Sequence, residues 1–306
     1  MAGFAERPVV FGFGADATDP AGLTRTVMAA DALGLDHFSV SDHPYLHNYL
    51  DAYASLGFLL GQTSSISGFV NVTNLPTRPP ALLARTMTSL AQLASGRIAL
   101  GVGAGGRWDR IADLGVPRLS PAAAVEAFEE GITLIKLLST AGPAVTFTGK
   151  HYSVANIKPA PAAFPIWTGS VGPRSLAATG RVADGWIPGH GADWLSRLYR
   201  ESRPVIDDAA VSAGRVPGEV RTIFNLPGRI TSSDLRLTRD DEGRWVGGSV
   251  RQWTEELTRA VVEFGANGFT VFATSYGTMD DAELRLWAEE IAPAVREAVL
   301  QERQTQ

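Results

Sequence analysis

Short apolar runs rich in β-branched and aromatic residues alternate with longer stretches of helical periodicity along the chain. This alternation restricts the fold more than any other feature, because repeated strand–helix units bury their apolar faces only around a parallel sheet. Strands are read at Val9–Phe13, His37–Ser41, Ile66–Thr73, Ile98–Val102, Ile166–Thr168, Gly185–Ile187, Val220–Phe224 and Phe269–Ala273. Helices are read near Asp19–Leu33, Tyr49–Gln62, Pro79–Ala94, Ala122–Leu138, Pro173–Gly180, Ala192–Ala213, Val250–Phe264 and Asp280–Val299. Eight such units close a (β/α)8 TIM barrel. An open doubly wound sheet is the rival, but it wants a Gly-rich turn after the first strand, which Gly12–Asp16 only faintly provides.

Helix punctuation agrees with this reading. Asp19-Pro20, Ser120-Pro121 and Gly172-Pro173 each offer an N-cap followed by proline, and Gly34 stands where a C-terminal cap belongs. Residues 142–164 contain a hairpin over Val145–Ser153, and residues 231–248 contain a turn at Asp240–Gly243. Both exceed ordinary loop length, so they are expected to be insertion loops at the C-terminal face that set specificity, near His151 and Trp245. No linker or repeat is seen, and residues 1–306 are read as one domain.

Composition narrows the function classes. Apolar residues make up 45% and charged residues 19%, as a large buried core requires. The net charge of −5 comes without a basic stripe, which argues against nucleic acid and anionic membrane as partners. The absence of cysteine excludes disulfides, thiolate nucleophiles and Cys-ligated metals. Met1–Arg7 lacks the pattern of a signal peptide, no apolar run approaches a membrane span, and a cytoplasmic location is expected.

In a barrel, residues at the C-terminal strand ends face the active site. The second strand ends in Ser41-Asp42-His43-Pro44, where His43 is a candidate proton relay or ring-edge partner oriented by Asp42. His37, at the other end of that strand, reads as structural. His47 lies four residues past His43, but Pro44 opposes helical geometry between them and no metal site is expected. Asn71 and Asn74 on the third strand need hydrogen bonds, from loop capping or from a polar heterocycle. The run Gly101-Val102-Gly103-Ala104-Gly105-Gly106-Arg107-Trp108 suggests backbone close to a flat ligand, and its spacing does not match a dinucleotide fingerprint. Gly169-Ser170-Val171-Gly172-Pro173 opens a helix with free N–H groups, which suits a phosphate better than a merely tight turn. No lysine occupies a strand end, which disfavours Schiff-base lyase or aldolase chemistry.

Taken together, Val40–His43, Asn74–Arg85, Ser95–Gly105 and the segments Gly169–Pro173 and Ala183–Trp186 resemble the luciferase-like monooxygenase family. The final third matches only by barrel pattern. The resemblance implies a deazaflavin (coenzyme F420) or FMN lying across the barrel mouth, with F420 preferred on the run Arg107–Ala112 and Gly115–Arg118. It further implies a non-proline cis peptide at Asn71–Val72, ring contacts from Ser41, Asn71, Val72, Asn74, Gly103 and Gly105, and His43 at the reactive edge. Phosphate is expected on Gly169, Ser170, Val171, Gly172 and Pro173, and the acidic coenzyme tail near Arg107, Trp108 and Arg174. Sugar-phosphate-oxidising members carry an acid where this chain has Gly106 and an aromatic where it has His47, so a less polar small-molecule substrate is expected. A homodimer is expected. Under the FMN alternative a separate reductase supplies the reduced cofactor, and a non-catalytic cofactor carrier is the remaining alternative.

Overall fold

The computed structural model describes residues 9–272 and 279–305. The elements in order are β1 (Val10–Gly14), α1 (Pro20–Ala32), β2 (His37–Val40), α2 (Ala52–Gln62), β3 (Ser67–Val70), β4 (Thr73–Asn74), α3 (Pro80–Leu93), β5 (Ile98–Gly103), α4 (Trp108–Asp113) and α5 (Pro121–Ser139). There follow β6 (Val145–Thr148), β7 (Ser153–Ile157), β8 (Ile166–Thr168), α6 (Pro173–Val182), β9 (Gly185–Trp186), α7 (Arg197–Ser212), β10 (Arg221–Pro227), β11 (Arg229–Thr231), β12 (Gly247–Ser249), α8 (Val250–Phe264) and β13 (Ala266–Phe272). The chain ends in α9 (Asp281–Arg285), a π-helical turn over Leu286–Ile291, and α10 (Ala292–Thr305).

The large sheet runs β3-β2-β1-β13-β10-β9-β8-β5-β4, all parallel, and an additional β3–β5 pairing closes it. With β3 and β4 forming one interrupted stave, this is an eight-stave (β/α)8 barrel. The third strand, expected to be continuous from Ile66 to Thr73, is broken at Asn71 and Val72. The last residue of the expected eighth strand, Ala273, and the segment Met1–Arg7 lie outside the described residues.

Local chemistry accounts for the helix starts. Ser120 and Ser249 cap α5 and α8, and Gln252 completes a capping box at Ser249. Asp19 sits at the N-cap of α1 but makes no side-chain capping bond, which departs from expectation. Gly34 adopts φ of +77° just past α1, the left-handed cap its position suggests.

Strand alternation sends Phe69, Ala99, Trp167, Ile187 and Ile223 into the lumen, where they form a separate apolar cluster. Gly12 is required beside them, because a Cβ there would fall 2.1 Å from the His37 carbonyl and 2.3 Å from its ring. The outward strand residues meet the helices in the main core, which includes Phe11, Phe38, Trp186, Trp253 and Trp287.

The two long insertions behave differently. The β6–β7 hairpin joins the end of α5 to the start of β8 and folds back along α5, where Glu130 accepts backbone bonds from Lys150 and His151. His151 itself meets Glu126. The segment after β10 pairs β11 with β12 and encloses a small hairpin with an Arg239–Trp245 bridge. Gly247 is obligatory at that return, since a Cβ would lie 2.2 Å from the Arg229 carbonyl oxygen.

Candidate active site

A cavity of about 610 Å³ opens at the C-terminal ends of β1, β2, β9, β10 and β13. Its wall includes Asp16, Ser41, His43, Tyr49, His190, Asn225 and Phe272, together with Asp240, Arg244, Trp245 and Val246 from the insertion after β10. That insertion therefore covers the mouth as expected. The hairpin near His151 contributes nothing to this wall, which corrects the expectation that it sets specificity.

His43 is half-buried on the wall and its Nδ1 lies 2.9 Å from the Tyr45 hydroxyl. Tyr49 packs edge-on against the imidazole at 5.5 Å. Burial depresses the His43 pKa, and the Arg107 charge depresses it further, while Asp42 opposes both. The ring is accordingly neutral at neutral pH.

Asp42 does not orient His43. Consecutive residues of an extended segment point to opposite faces, so Ser41 and His43 turn to the mouth and Asp42 turns behind the strand. There its buried carboxylate accepts from the Asn74 N–H at 3.0 Å and from Arg78 at 3.0 and 2.6 Å. Arg78 also reaches Asp51, the N-cap of α2. Asp42 therefore ties β2 to the β4–α3 connection, and the partner of His43 is Tyr45. His47 is exposed and lies off the cavity wall.

The opposite side of the mouth is built from backbone. The Asn71–Val72 bond is cis, as the resemblance implies. Asn71 donates to Asn225 Oδ1 at 2.9 Å and accepts from Asn225 Nδ2 at 3.3 Å, so it touches the cavity through its partner. Val72 fills the gap between two neighbouring staves, since a Cβ on either Gly103 or Gly169 would lie 3.0 Å from its Cγ2. Gly105 has φ of +90°, and Arg107 is exposed at the start of α4, beside the half-buried Trp108. Asn74 is buried, and its Oδ1 has no hydrogen-bond partner among the described residues.

The turn Gly169–Pro173 leads into α6, a helix of ten residues. Among the described residues, no acceptor meets the backbone N–H groups of Val171, Gly172, Arg174 and Ser175. These donors and the positive helix end form an anion-binding surface. The Ser170 hydroxyl is turned inward, buried against Thr179 at 2.9 Å, so only its backbone remains available. None of Gly103, Gly105, Arg107, Trp108 and 169–173 lines the cavity itself.

Sequence reasoning missed Tyr45, Tyr49, Asp16, His190 and Asn225. Asp16 and Asn225 have a legible signal, since both share the lumen parity of their strands, with Gly12 and Gly14 and with Ile223 respectively. Tyr45 and Tyr49 follow the His43 motif directly. His190, with φ of +60°, lies in a loop that carries no such pattern.

Likenesses to known proteins bear on this arrangement. The family model of the luciferase-like monooxygenases matches residues 8–240. The chain is 31% identical over 231 residues to an F420-dependent glucose-6-phosphate dehydrogenase of Microbacterium testaceum, covering 72% of this chain and 68% of that one. An F420-dependent secondary alcohol dehydrogenase, solved with an F420–acetone adduct, superposes with a TM-score of 0.76 at 19% identity, covering 94% of this chain and 99% of its own. The FMN-bound oxygenating constituent of 3,6-diketocamphane monooxygenase, from a Pseudomonas putida plasmid, gives 0.72 at 18% identity, with coverage of 93% and 98%. The likeness to the two solved structures is one of fold. The chain belongs to the luciferase-like monooxygenase family.

Proposed function

We propose that this chain is a deazaflavin (F420)-dependent oxidoreductase that transfers a hydride between the coenzyme and a small organic substrate. The observation that carries this is a barrel mouth that presents both a ligand-sized cavity walled by His43 and a backbone-lined anion site, in a chain 31% identical to a named F420-dependent enzyme. The residues fit such a group. Val171, Gly172, Arg174 and Ser175 offer N–H donors for a phosphate, the orphaned Asn74 Oδ1 suits a ring N–H, and exposed Arg107 and Arg174 suit an acidic tail.

When bound, the deazaflavin supplies the two-electron chemistry. The protein supplies placement and a proton. His43 shares its Nδ1 with Tyr45, which leaves Nε2 as the working nitrogen. If the Tyr45 hydroxyl donates to Nδ1, Nε2 carries the proton and is an acid; in the other tautomer it is a base. The depressed pKa keeps either form neutral. The Asn71–Asn225 pair closes the cavity floor, and Trp245 and Val246 from the covering insertion exclude water from above.

A sugar phosphate is not the proposed substrate. A Cβ at Gly106 would stand in open space, and the one cation on the cavity wall among the described residues, Arg244, is engaged by Asp240 and Glu242. The protein works as a single domain and as a homodimer in this reading, and it resides in the cytoplasm. Exposed Phe58 on α2 and exposed Leu82 and Leu93 on α3 support the dimer. Among the described residues no helix is long and apolar enough to cross a membrane. Titration of the purified protein with F420 and FMN, followed by fluorescence quenching, tests the cofactor assignment. Tighter binding of FMN would favour a reduced-flavin monooxygenase with a partner reductase.

A further inference from the structure

The cavity wall carries three formal charges among the described residues, those of Asp16, Asp240 and Arg244. Two of them are spent on each other. Asp240 Oδ2 meets Arg244 at 2.8 Å, its Oδ1 accepts from the Glu242 and Arg244 N–H groups, and Glu242 takes the remaining side of the guanidinium. Arg107, whose charge acts on His43, lies off the cavity wall, and Arg239, which stacks over Trp245, is engaged by Asp193 and Glu256.

Asp16 is the exception. Its Oδ1 accepts from the Thr18 N–H at 2.8 Å and the Thr18 hydroxyl at 2.7 Å, which fixes the carboxylate plane. Its Oδ2 has no hydrogen-bond or ion-pair partner among the described residues. An asparagine makes the same turn through its carbonyl oxygen, so the negative charge exceeds what the local structure requires. The rest of the wall combines the large rings of Tyr49, Phe272 and Trp245 with aliphatic groups and the polar side chains of Ser41, His43, His190 and Asn225. A cavity with aromatic faces and one oriented carboxylate that no ion pair among the described residues neutralises is suited to a cation and repels an anion.

We propose that the cavity takes an organic cation, a protonated amine carried on an apolar or aromatic frame, held by Asp16 Oδ2. This rests on the reading of the cavity as the substrate site of the proposed oxidoreductase.

The test uses the full chain and three matched probes: 2-phenylethylamine, 2-phenylethanol and phenylacetate, titrated by calorimetry at neutral pH. The amine is expected to bind about tenfold more tightly than the alcohol, with no binding of the acid. Asp16→Asn, checked by an unchanged melting temperature, is expected to bring the amine to the level of the alcohol. Equal binding of alcohol or acid by the parent protein, an undiminished amine preference in Asp16→Asn, or no binding of any probe would overturn the proposal. An F420 titration of the same preparation separates the two readings. F420 binding without amine preference removes only the substrate class, and amine preference without F420 binding removes only the oxidoreductase.

Discussion

The two sides of the barrel mouth are built on different principles. On the side of β4, β5 and β8, glycines and the start of α6 present backbone donors, and Val72 packs so closely that a Cβ at Gly103 or Gly169 would press on its methyl group at 3.0 Å. On the side of β9, β10, β13, β1 and β2, side chains and a long insertion enclose a cavity of about 610 Å³. Backbone geometry holds an invariant group such as a coenzyme phosphate regardless of nearby substitutions, whereas side chains on a loop are free to change with the substrate. His43 and the Asn71–Asn225 pair stand where the two sides meet.

The sharpest way to break this picture is to remove what joins the sides. Arg78→Met leaves the buried Asp42 carboxylate without its cation, and loss of one partner of such a pair costs about 3–5 kcal/mol. Chemical denaturation is expected to show that loss. A surface-like change below 1 kcal/mol would mean that Asp42 has another partner.

Next in size is His43→Ala. Removal of a positioned acid–base group typically costs about 10²–10⁴ in rate. Stopped-flow reoxidation of reduced F420 by a quinone acceptor should slow by at least the lower figure, with F420 affinity changed less than about threefold. An unchanged rate would strip His43 of its role.

The barrel floor below the mouth gives a pH test. Burial holds His37 neutral in the folded state, its pKa lowered to about 3, with Nε2 on Thr270 at 2.9 Å. An unfolded chain binds a proton at this histidine near pH 6.5. The stabilisation is therefore complete above pH 6.5 and is lost progressively as the pH falls toward about 3. From pH 7 to pH 5 this amounts to about 2 kcal/mol. A His37→Gln variant should lose that slope when unfolding is compared at the two pH values.

The smallest effect is predicted on the backbone side. Arg174→Glu reverses an exposed charge in the first turn of α6 and should weaken F420 binding about tenfold at low salt, less at high salt. Binding of the amine probe should not change.

The legibility of the two sides differs for the same physical reason. Alternation and helix punctuation exposed the barrel, and α8 falls at Val250–Phe264 as read, because capping at Ser249 and the left-handed Gly265 are local signals. Gly169–Pro173 was visible likewise, as a turn that must open a helix. The cavity side depends on partners distant in sequence, such as Asn71 and Asn225, 154 residues apart. Asp42 is legible too, since strand parity alone turns it away from His43 and toward Asn74 and Arg78. The length of the insertion over residues 231–248 is plain in the sequence, but its Arg239 anchors on Asp193 and Glu256 come from other elements and leave no local mark.

The central claim is that the coenzyme is held on the backbone side and the substrate on the cavity side. One cross-titration tests it: F420 and 2-phenylethylamine, each against the parent protein, Arg174→Glu and Asp16→Asn. The account predicts that Arg174→Glu weakens only F420 and Asp16→Asn weakens only the amine. Loss of F420 affinity in Asp16→Asn with none in Arg174→Glu would contradict it.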